Sequence, residues 1–294
     1  MTIRAFDKAP ATGPKLLKAA LPAIPGIGGL PGVKHTGTMA PDLVLALANV
    51  ETDRGHLARY NEICAYEPSD VLPPLYPHFA AFGLHLSLMT DTAFPFAPMG
   101  VVHLRNRLVQ RRPIGLDEKF DLAVHAHDVR PHPKGQLIDI TTIATIDGDD
   151  VWAETMTIFR RGKSGAGPET TVPPLDGVDV PEGPVEWKLK GDLGRRFAAV
   201  SGDRNPIHLY PITAKAFGFP TNIAHGMWTK SRALAALQNR LPEAYEANVE
   251  FRKPVLLPTT VSFGSRVHDG VTTFAVNSAR NPGSTHLLGR INPS

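Results

Sequence analysis

Residues 78–89 read His-Phe-Ala-Ala-Phe-Gly-Leu-His-Leu-Ser-Leu-Met. The run holds no Lys, Arg, Asp or Glu, and Phe79, Phe82, Leu84, Leu86, Leu88 and Met89 spread round most of a helical circumference. A helix apolar on nearly every side has no face to offer water, so other structure must surround it. The surrounding material reads as strand. Leu137–Ile146 and Val151–Phe159 flank the turn Asp147-Gly148-Asp149-Asp150. Further on, Thr259–Val267 places Val261, Phe263 and Val267 on one face, and His268-Asp269-Gly270 turns the chain tightly into Val271–Val276. Short connections of this kind pair strands antiparallel. The expectation is therefore an α+β fold in which an antiparallel sheet wraps a long buried helix.

The plan is written twice. In the first half a helical segment, Arg54–Ile63, leads through a proline-rich loop to Leu75-Tyr76-Pro77, then to the helix His78–Met89 and to strands. In the second half Leu193–Val200 leads to Leu209-Tyr210-Pro211, then to a helix expected over Gly226–Leu241 and to strands. A duplicated unit explains this order, with an unrelated pair of α+β domains as the competing arrangement. Lys163–Val185 is too rich in Pro and Gly for a helix or a central strand and reads as the linker. The expected division is an irregular segment over 1–40, a first unit over 41–163, a linker over 164–185 and a second unit over 186–294.

The 294 residues, 42% hydrophobic and 20% charged, suffice for two cores of ordinary size. A net charge of +3 comes from scattered bases such as Arg111-Arg112 and Arg252-Lys253, which argues against a nucleic-acid surface. It suits an anionic small molecule or an acidic partner protein, and equally an ordinary solvated surface. One cysteine, Cys64, excludes an internal disulfide framework and a Cys-rich metal site, and points to a reducing compartment, the cytoplasm. The apolar stretch Leu16–Leu30 is broken by Pro22, Pro25, Gly26, Gly28 and Gly29, so no membrane span is expected. The glycine run over 26–32 lacks a preceding strand and carries Pro31 where a helix should open, which excludes a dinucleotide loop. His125 and His127 share a strand face near His132 with no accompanying ligand pattern, so neither a metal nor a cofactor is expected.

Chemistry concentrates in Phe197-Ala-Ala-Val-Ser-Gly-Asp-Arg-Asn-Pro-Ile-His208. A helix ends near Ser201-Gly202, and Asn205-Pro206 stiffens the loop that follows. Asp203 and His208 are thereby held close enough to reach one water, an arrangement suited to acid/base catalysis; the same residue types also make ordinary turns. Ile223-Ala224-His225-Gly226-Met227 then opens the second long helix. Gly226 leaves its N–H approachable at a helix N-terminus, a donor for a carbonyl oxygen that gains negative charge; plain helix-start packing is the alternative.

Ser201–His208 resembles the hydratase-2 motif of MaoC-like dehydratases and (R)-specific enoyl-CoA hydratases, and Ala224-His225-Gly226-Met227 resembles the second signature of that family. Phe251-Arg252-Lys253-Pro254-Val255 with Leu257-Pro258 is similar to its strand after the central helix. Pro77-His78, Met89-Thr90-Asp91 and Val102–Arg107 resemble the two-domain 3-hydroxyacyl-thioester dehydratases of mycobacterial fatty-acid metabolism. The resemblance implies a double hot-dog, with Asp203 and His208 holding the catalytic water and Gly226 binding the thioester carbonyl. Asn205 and His225 are implied as residues that orient this pair or contact substrate. The implied reaction is (R)-specific hydration of trans-2-enoyl thioesters, or its reverse, on an acyl-CoA or acyl-carrier-protein substrate. Ala65–Pro74, the matching loop of the first half, lacks the motif, so one active site per chain is expected, in a monomeric pseudo-dimer or a homodimer. A hot-dog thioesterase and a non-catalytic acyl-thioester binding protein are the alternatives.

Overall fold

The structure, a computed structural model, describes residues 1–21, 33–162, 167–172, 174–175, 180–281 and 283–294. The glycine run over 26–32 and linker residues 163–166, 173 and 176–179 lie outside them. In chain order the elements are β1 Thr2–Phe6, α1 Thr12–Ala20, β2 Leu43–Val50, α2 Arg54–Cys64, α3 Tyr76–Ala80, α4 Phe82–Met89, β3 Val101–Gln110, β4 Phe120–His132, β5 Gly135–Ile146 and β6 Asp149–Arg161. They continue as β7 Val185–Leu189, α5 Leu193–Ser201, α6 Pro206–Leu209, α7 Pro211–Ala216, α8 Gly226–Ala235, β8 Tyr245–Phe251, β9 Thr259–His268, β10 Val271–Ser278 and β11 Thr285–Pro293. Two compact units result: Met1–Glu51, Pro77–Leu104 and Glu118–Val172 form unit 1, and Thr52–Tyr76, Arg105–Asp117 and Pro173–Ser294 form unit 2.

In unit 1, β2, β4, β5 and β6 pair antiparallel in that order. Asp147 (φ 53°) and Gly148 (φ 90°) link β5 to β6, the two positive φ values that a type I′ hairpin turn demands. Against the sheet lies α4, whose Leu84, Leu86 and Leu88 are buried with Leu122, Val124, Ile138, Ile140 and Trp152. The helix expected over 78–89 is interrupted at Ala81, so α3 and α4 are separate pieces. Nor is its interior purely apolar. His78 Nδ1 lies 2.6 Å from Glu154 Oε2, and His85 Nε2 lies 2.7 Å from Thr142 Oγ1, all four side chains buried. Residues 1–40, expected to be irregular, contain β1, which extends β2 in parallel, and α1, which packs on α4. A Cβ at Gly83 would come within 2.3 Å of the Pro10 carbonyl oxygen, so the glycine is what lets the N-terminal segment close on α4.

In unit 2 the strands run in the order β3, β8, β11, β10, β9, β7, every pair antiparallel, with β3 contributing from Arg105 onward. Asp269 (φ 49°) and Gly270 (φ 76°) form the β9–β10 turn. The long helix is α8, which stops at Ala235, with a 3₁₀ turn over Gln238–Arg240 in place of the α-helical continuation expected to Leu241. It buries Met227, Trp228, Ala233 and Leu234. Helix α2, capped by Asp53 accepting from the His56 N–H at 2.9 Å, belongs with this unit although the sequence division puts it in the first. The cause is long-range packing: Tyr60 donates to Ser231 Oγ at 2.9 Å, and the Trp228 indole donates to the Ile63 carbonyl at 2.9 Å.

Candidate active site

Helix α5 ends at Gly202, whose φ of 76° is the left-handed conformation glycine adopts without penalty. The chain then doubles back. The Asp203 N–H donates to Ser201 Oγ at 3.2 Å, and Asp203 Oδ1 accepts from the Asn205 N–H at 3.0 Å. Asn205 caps α6 by accepting from the Ile207 N–H, and Pro206 occupies the first helical position, where its missing N–H costs nothing. This loop lies against α5 because residue 194 is glycine: a Cβ there would sit 1.9 Å from the His208 carbonyl oxygen. Nothing in the local pattern marks Gly194 as a site residue, and the requirement shows only once α5 and α6 are packed.

The second strand of the site is stitched in by its backbone. Ile223 N–H donates to the Ile207 carbonyl at 3.1 Å, and Ala224 N–H to the Val255 carbonyl at 2.9 Å. Asn222 Nδ2 donates to the Gly191 carbonyl at 2.9 Å. His225 is thereby fixed in extended geometry as the N-cap of α8.

Three of the predicted residues come together here. Asp203, His208 and His225 each offer one ligand-type atom, a carboxylate oxygen or ring nitrogen, and these lie within 4.8 Å of one another. The two imidazoles stack, with centroids 3.7 Å apart and planes 24° from parallel. His208 Nδ1 donates to the Ile223 carbonyl at 2.9 Å, which leaves Nε2 as the lone-pair nitrogen of the neutral ring. His225 Nε2 donates to the Asp203 carbonyl at 3.0 Å and lies 3.8 Å from Asp203 Oδ2. Both rings are buried, and Phe197 closes one side at 5.0 Å from His225. Burial holds the His208 pKa below its ordinary value despite the nearby Asp203 charge. Burial first, and the proximity of His208 second, push that of His225 down to about 3. Both are therefore neutral at pH 7. The Asp203 side chain keeps 32% exposure and that of His225 3%, so the carboxylate reaches solvent while the His225 ring does not.

The same three side chains have the composition of a divalent-metal site. Near-parallel rings aim their in-plane lone pairs alongside one another, whereas a zinc ion needs donors converging at about 2.0–2.1 Å. The geometry suits a bridging water better: hydrogen bonds of about 2.8 Å from each end span the gap between carboxylate and imidazole. Gly226 opens α8, and in the first turn of a helix the N–H groups lack intrahelical partners. Its smallness has a packing cause too, because a Cβ would meet the Phe251 ring at 3.0 Å. Asn205 bonds within the loop, its N–H donating to Asp203 Oδ1 and its Oδ1 accepting from the Ile207 N–H. A cavity of about 600 Å³ among Trp187, Arg232, Arg240 and Phe263 sits at the other end of α8 and is lined by none of the predicted site residues.

Residues 179–281 match the family described as MaoC like domain. The chain is 35% identical to 3-hydroxyacyl-thioester dehydratase X of Mycobacterium tuberculosis over 259 residues, 88% of this chain and 91% of that protein. It is 28% identical to the enoyl-CoA hydratase ChsH3 of the same organism over 59% of this chain and 63% of the relative. The crystal structure of HtdX from M. tuberculosis superposes with a TM-score of 0.75 at 31% identity, covering 85% of this chain and all of that one. A further M. tuberculosis structure described as a double hot-dog matches with a TM-score of 0.52 at 15% identity over 84% of this chain and 94% of that one, a likeness of fold alone. With two units that each lay strands round a central helix, and a relative this similar over nearly its whole length, the chain is a double hot-dog protein that belongs to the MaoC-like dehydratase family.

Proposed function

We propose that the chain adds water across trans-2-enoyl thioesters to give (R)-3-hydroxyacyl thioesters, and removes it in reverse, with Asp203 and His208 holding the water. The observation that carries this reading is the carboxylate and imidazole within 4.8 Å of each other, on a loop whose backbone is pinned at both ends. In hydration the water oxygen bonds to C3 as the pair takes one of its protons, and the pair delivers a proton to C2. Negative charge gathers on the thioester oxygen meanwhile, and the Gly226 N–H at the positive end of α8 donates to it. A single donor of this kind contributes about 3–4 kcal/mol in a transition state. His225 positions the pair: its bond to the Asp203 carbonyl fixes the loop, and its stacked ring keeps His208 desolvated and neutral.

Acyl thioesters are the substrate class. The remaining assignments are part of the same proposal: a single catalytic centre per chain, a fusion of two duplicated hot-dogs joined over 164–185, a monomer or homodimer, and work in the cytoplasm. Cys64, the single cysteine, is buried. No described helix is long and apolar enough to cross a membrane. Purified protein given crotonyl-CoA or a longer enoyl-CoA is expected to bleach the conjugated-thioester absorbance, and Asp203→Ala or His208→Ala to stop it; unchanged turnover in both variants would overturn the assignment. Release of free thiol would point instead to a thioesterase, and saturable binding with no turnover to a carrier of acyl thioesters.

A further inference from the structure

Helix α5 is held from behind by a residue that the sequence division places in the first half of the chain. His56, on α2, sets its ring nitrogen Nε2 2.6 Å from the Val200 carbonyl, across 144 residues of sequence. Both belong to unit 2. A carbonyl only accepts, so Nε2 carries the proton it donates there, and Nδ1 faces the Tyr76 hydroxyl at 3.0 Å. The ring is fixed on further sides. The His56 backbone N–H donates to Asp53 Oδ1 at 2.9 Å, and the Tyr76 ring meets the imidazole edge-on with centroids 5.6 Å apart. Val200 is buried in the last turn of α5, where carbonyl groups have run out of intrahelical partners. His56 supplies the missing donor.

That last turn is what carries Asp203. The Gly202 N–H donates to the Ala198 carbonyl at 3.2 Å and the Asp203 N–H to Ser201 Oγ at 3.2 Å, so the direction in which the carboxylate leaves the helix is set within one turn of Val200. Downstream the loop has anchors of its own, the Ile223 bond to the Ile207 carbonyl and the His225 bond to the Asp203 carbonyl. Upstream it depends on α5. A second link between α2 and α5, from Arg196 to Glu62, spans 4.0 Å between exposed side chains and holds little.

We propose that His56 is a positioning residue for the reaction: it holds the last turn of α5 and so sets where the Asp203 carboxylate stands relative to His208. The inference rests on the reading of that pair as the acid/base centre. His56 acts through Val200 and Ser201, not on the reacting atoms. A misplacement of about 1 Å at a reacting group costs on the order of a hundredfold in rate, and fraying of the turn beside it supplies such a shift. Its loss therefore falls on kcat and spares KM, unlike the loss of a group that binds substrate.

The test measures kcat and KM for crotonyl-CoA in His56→Ala, His56→Asn and His56→Gln. Glutamine places an amide donor near the position of Nε2, whereas asparagine is too short to reach it. The Ala and Asn variants are expected to lose about ten- to a hundredfold in kcat with KM within about twofold, and the Gln variant to recover to within about threefold of the wild type. Tyr60→Phe deletes a different buried bond of α2, the one to Ser231, and should lower Tm while kcat stays within about twofold. Unchanged kcat in folded His56→Ala, a loss carried by KM, no recovery in His56→Gln, or an equal loss in Tyr60→Phe would each overturn the proposal and leave the bond a contact of the fold. Should His56→Ala fail to fold, the contrast between Gln and Asn decides. If the wild type turns over no enoyl thioester, the proposed reaction fails by itself. Hydrogen exchange then decides whether His56 holds the turn: the Gly202 and Asp203 amides should exchange at least about tenfold faster in the Ala and Asn variants but not in Gln, and equal exchange in all would overturn it.

Discussion

Each unit buries two histidines beside a carboxylate. In unit 1 the rings of His78 and His85 lie 5.0 Å apart, with His78 Nδ1 2.6 Å from Glu154. In unit 2 His208 and His225 lie 3.7 Å apart, with His225 Nε2 3.8 Å from Asp203. The residue types are nearly the same, but the Glu154 side chain has 0% exposure and Asp203 has 32%. Glu154 is also committed to His78, whereas Asp203 spends one oxygen on the Asn205 N–H and the backbone, not the carboxylate, receives the His225 bond. On the proposed reading the contrast separates a structural polar network from a reactive one. On that reading a carboxylate serves as an acid/base group where its loop keeps it part-exposed, and as a strut where helix and sheet close over it.

The largest effect expected from this contrast is catalytic and confined to unit 2. Asp203→Asn and His208→Ala should each lower kcat by roughly 10²- to 10⁴-fold, the usual contribution of a positioned proton-transfer group. His78→Gln should leave kcat within twofold. Enoyl-thioester absorbance measured on all three variants checks this, and a catalytic loss from His78→Gln would make unit 1 a second centre.

The counterpart in unit 1 is thermodynamic. Removing one partner of a buried hydrogen-bonded pair leaves the other desolvated and unsatisfied, so Glu154→Ala should destabilise by about 1–3 kcal/mol. Thermal unfolding would show this as a lowered Tm, with activity per folded molecule preserved. Asp203→Asn, at a part-exposed carboxylate, should shift Tm far less. Reversal of that ranking would mean that Glu154 is the reactive carboxylate and Asp203 the strut.

Between these lies Gly194, which belongs to the packing and the chemistry together. Gly194→Ala would force the His208 carbonyl away from α5, because the new Cβ would sit 1.9 Å from it. Overpacking of this kind costs about 1–3 kcal/mol. The displaced loop should also cut kcat, while Gly83→Ala, which strains the Pro10 contact in unit 1, should cost stability alone. Paired Tm and turnover measurements on the two variants test the difference.

What could be read from the sequence follows how local each cause is. Asp147-Gly148 and Asp269-Gly270 announced their hairpins because a two-residue turn with two positive φ angles depends on little beyond those residues. The loop carrying Asp203 and His208 was legible for the same reason: glycine, asparagine and proline set its course within a few residues. The buried character of residues 78–89 was legible from composition, but the break at Ala81 and the pairing of His78 and His85 with Glu154 and Thr142 depend on strands far along the chain. Allegiance of α2 to unit 2 is likewise decided by Ser231 and Trp228, over 160 residues away. His225 was legible as a candidate, whereas its stacking on His208 is a product of the backbone bonds at Ile223 and Ala224. Strand β1 is mostly exposed, so hydrophobic pattern carries no trace of it and its pairing with β2 alone makes it a strand.

The smallest effect near neutral pH is shared by both units and follows from linkage. His85 and His225 both have pKa values lowered to about 3, each chiefly by burial. His85 faces His78, His103 and Glu154, and His225 faces His208 and Asp203. The unfolded chain protonates such histidines near pH 6.5 while the folded chain does not. Below pH 6.5 the unfolded state therefore binds more protons, and stability falls as pH drops from there toward 3; above 6.5 the contribution is constant. The slope is at most about 1.4 kcal/mol per pH unit for each histidine. Between pH 7.5 and 6.5 Tm should hardly move, and between 6.5 and 5 it should fall. His85→Gln should flatten that fall with turnover intact, and His225→Gln should flatten it with turnover impaired. A Tm that rises on acidification, or an equal loss of turnover in both variants, would erase the distinction drawn between the sealed pair of unit 1 and the working pair of unit 2.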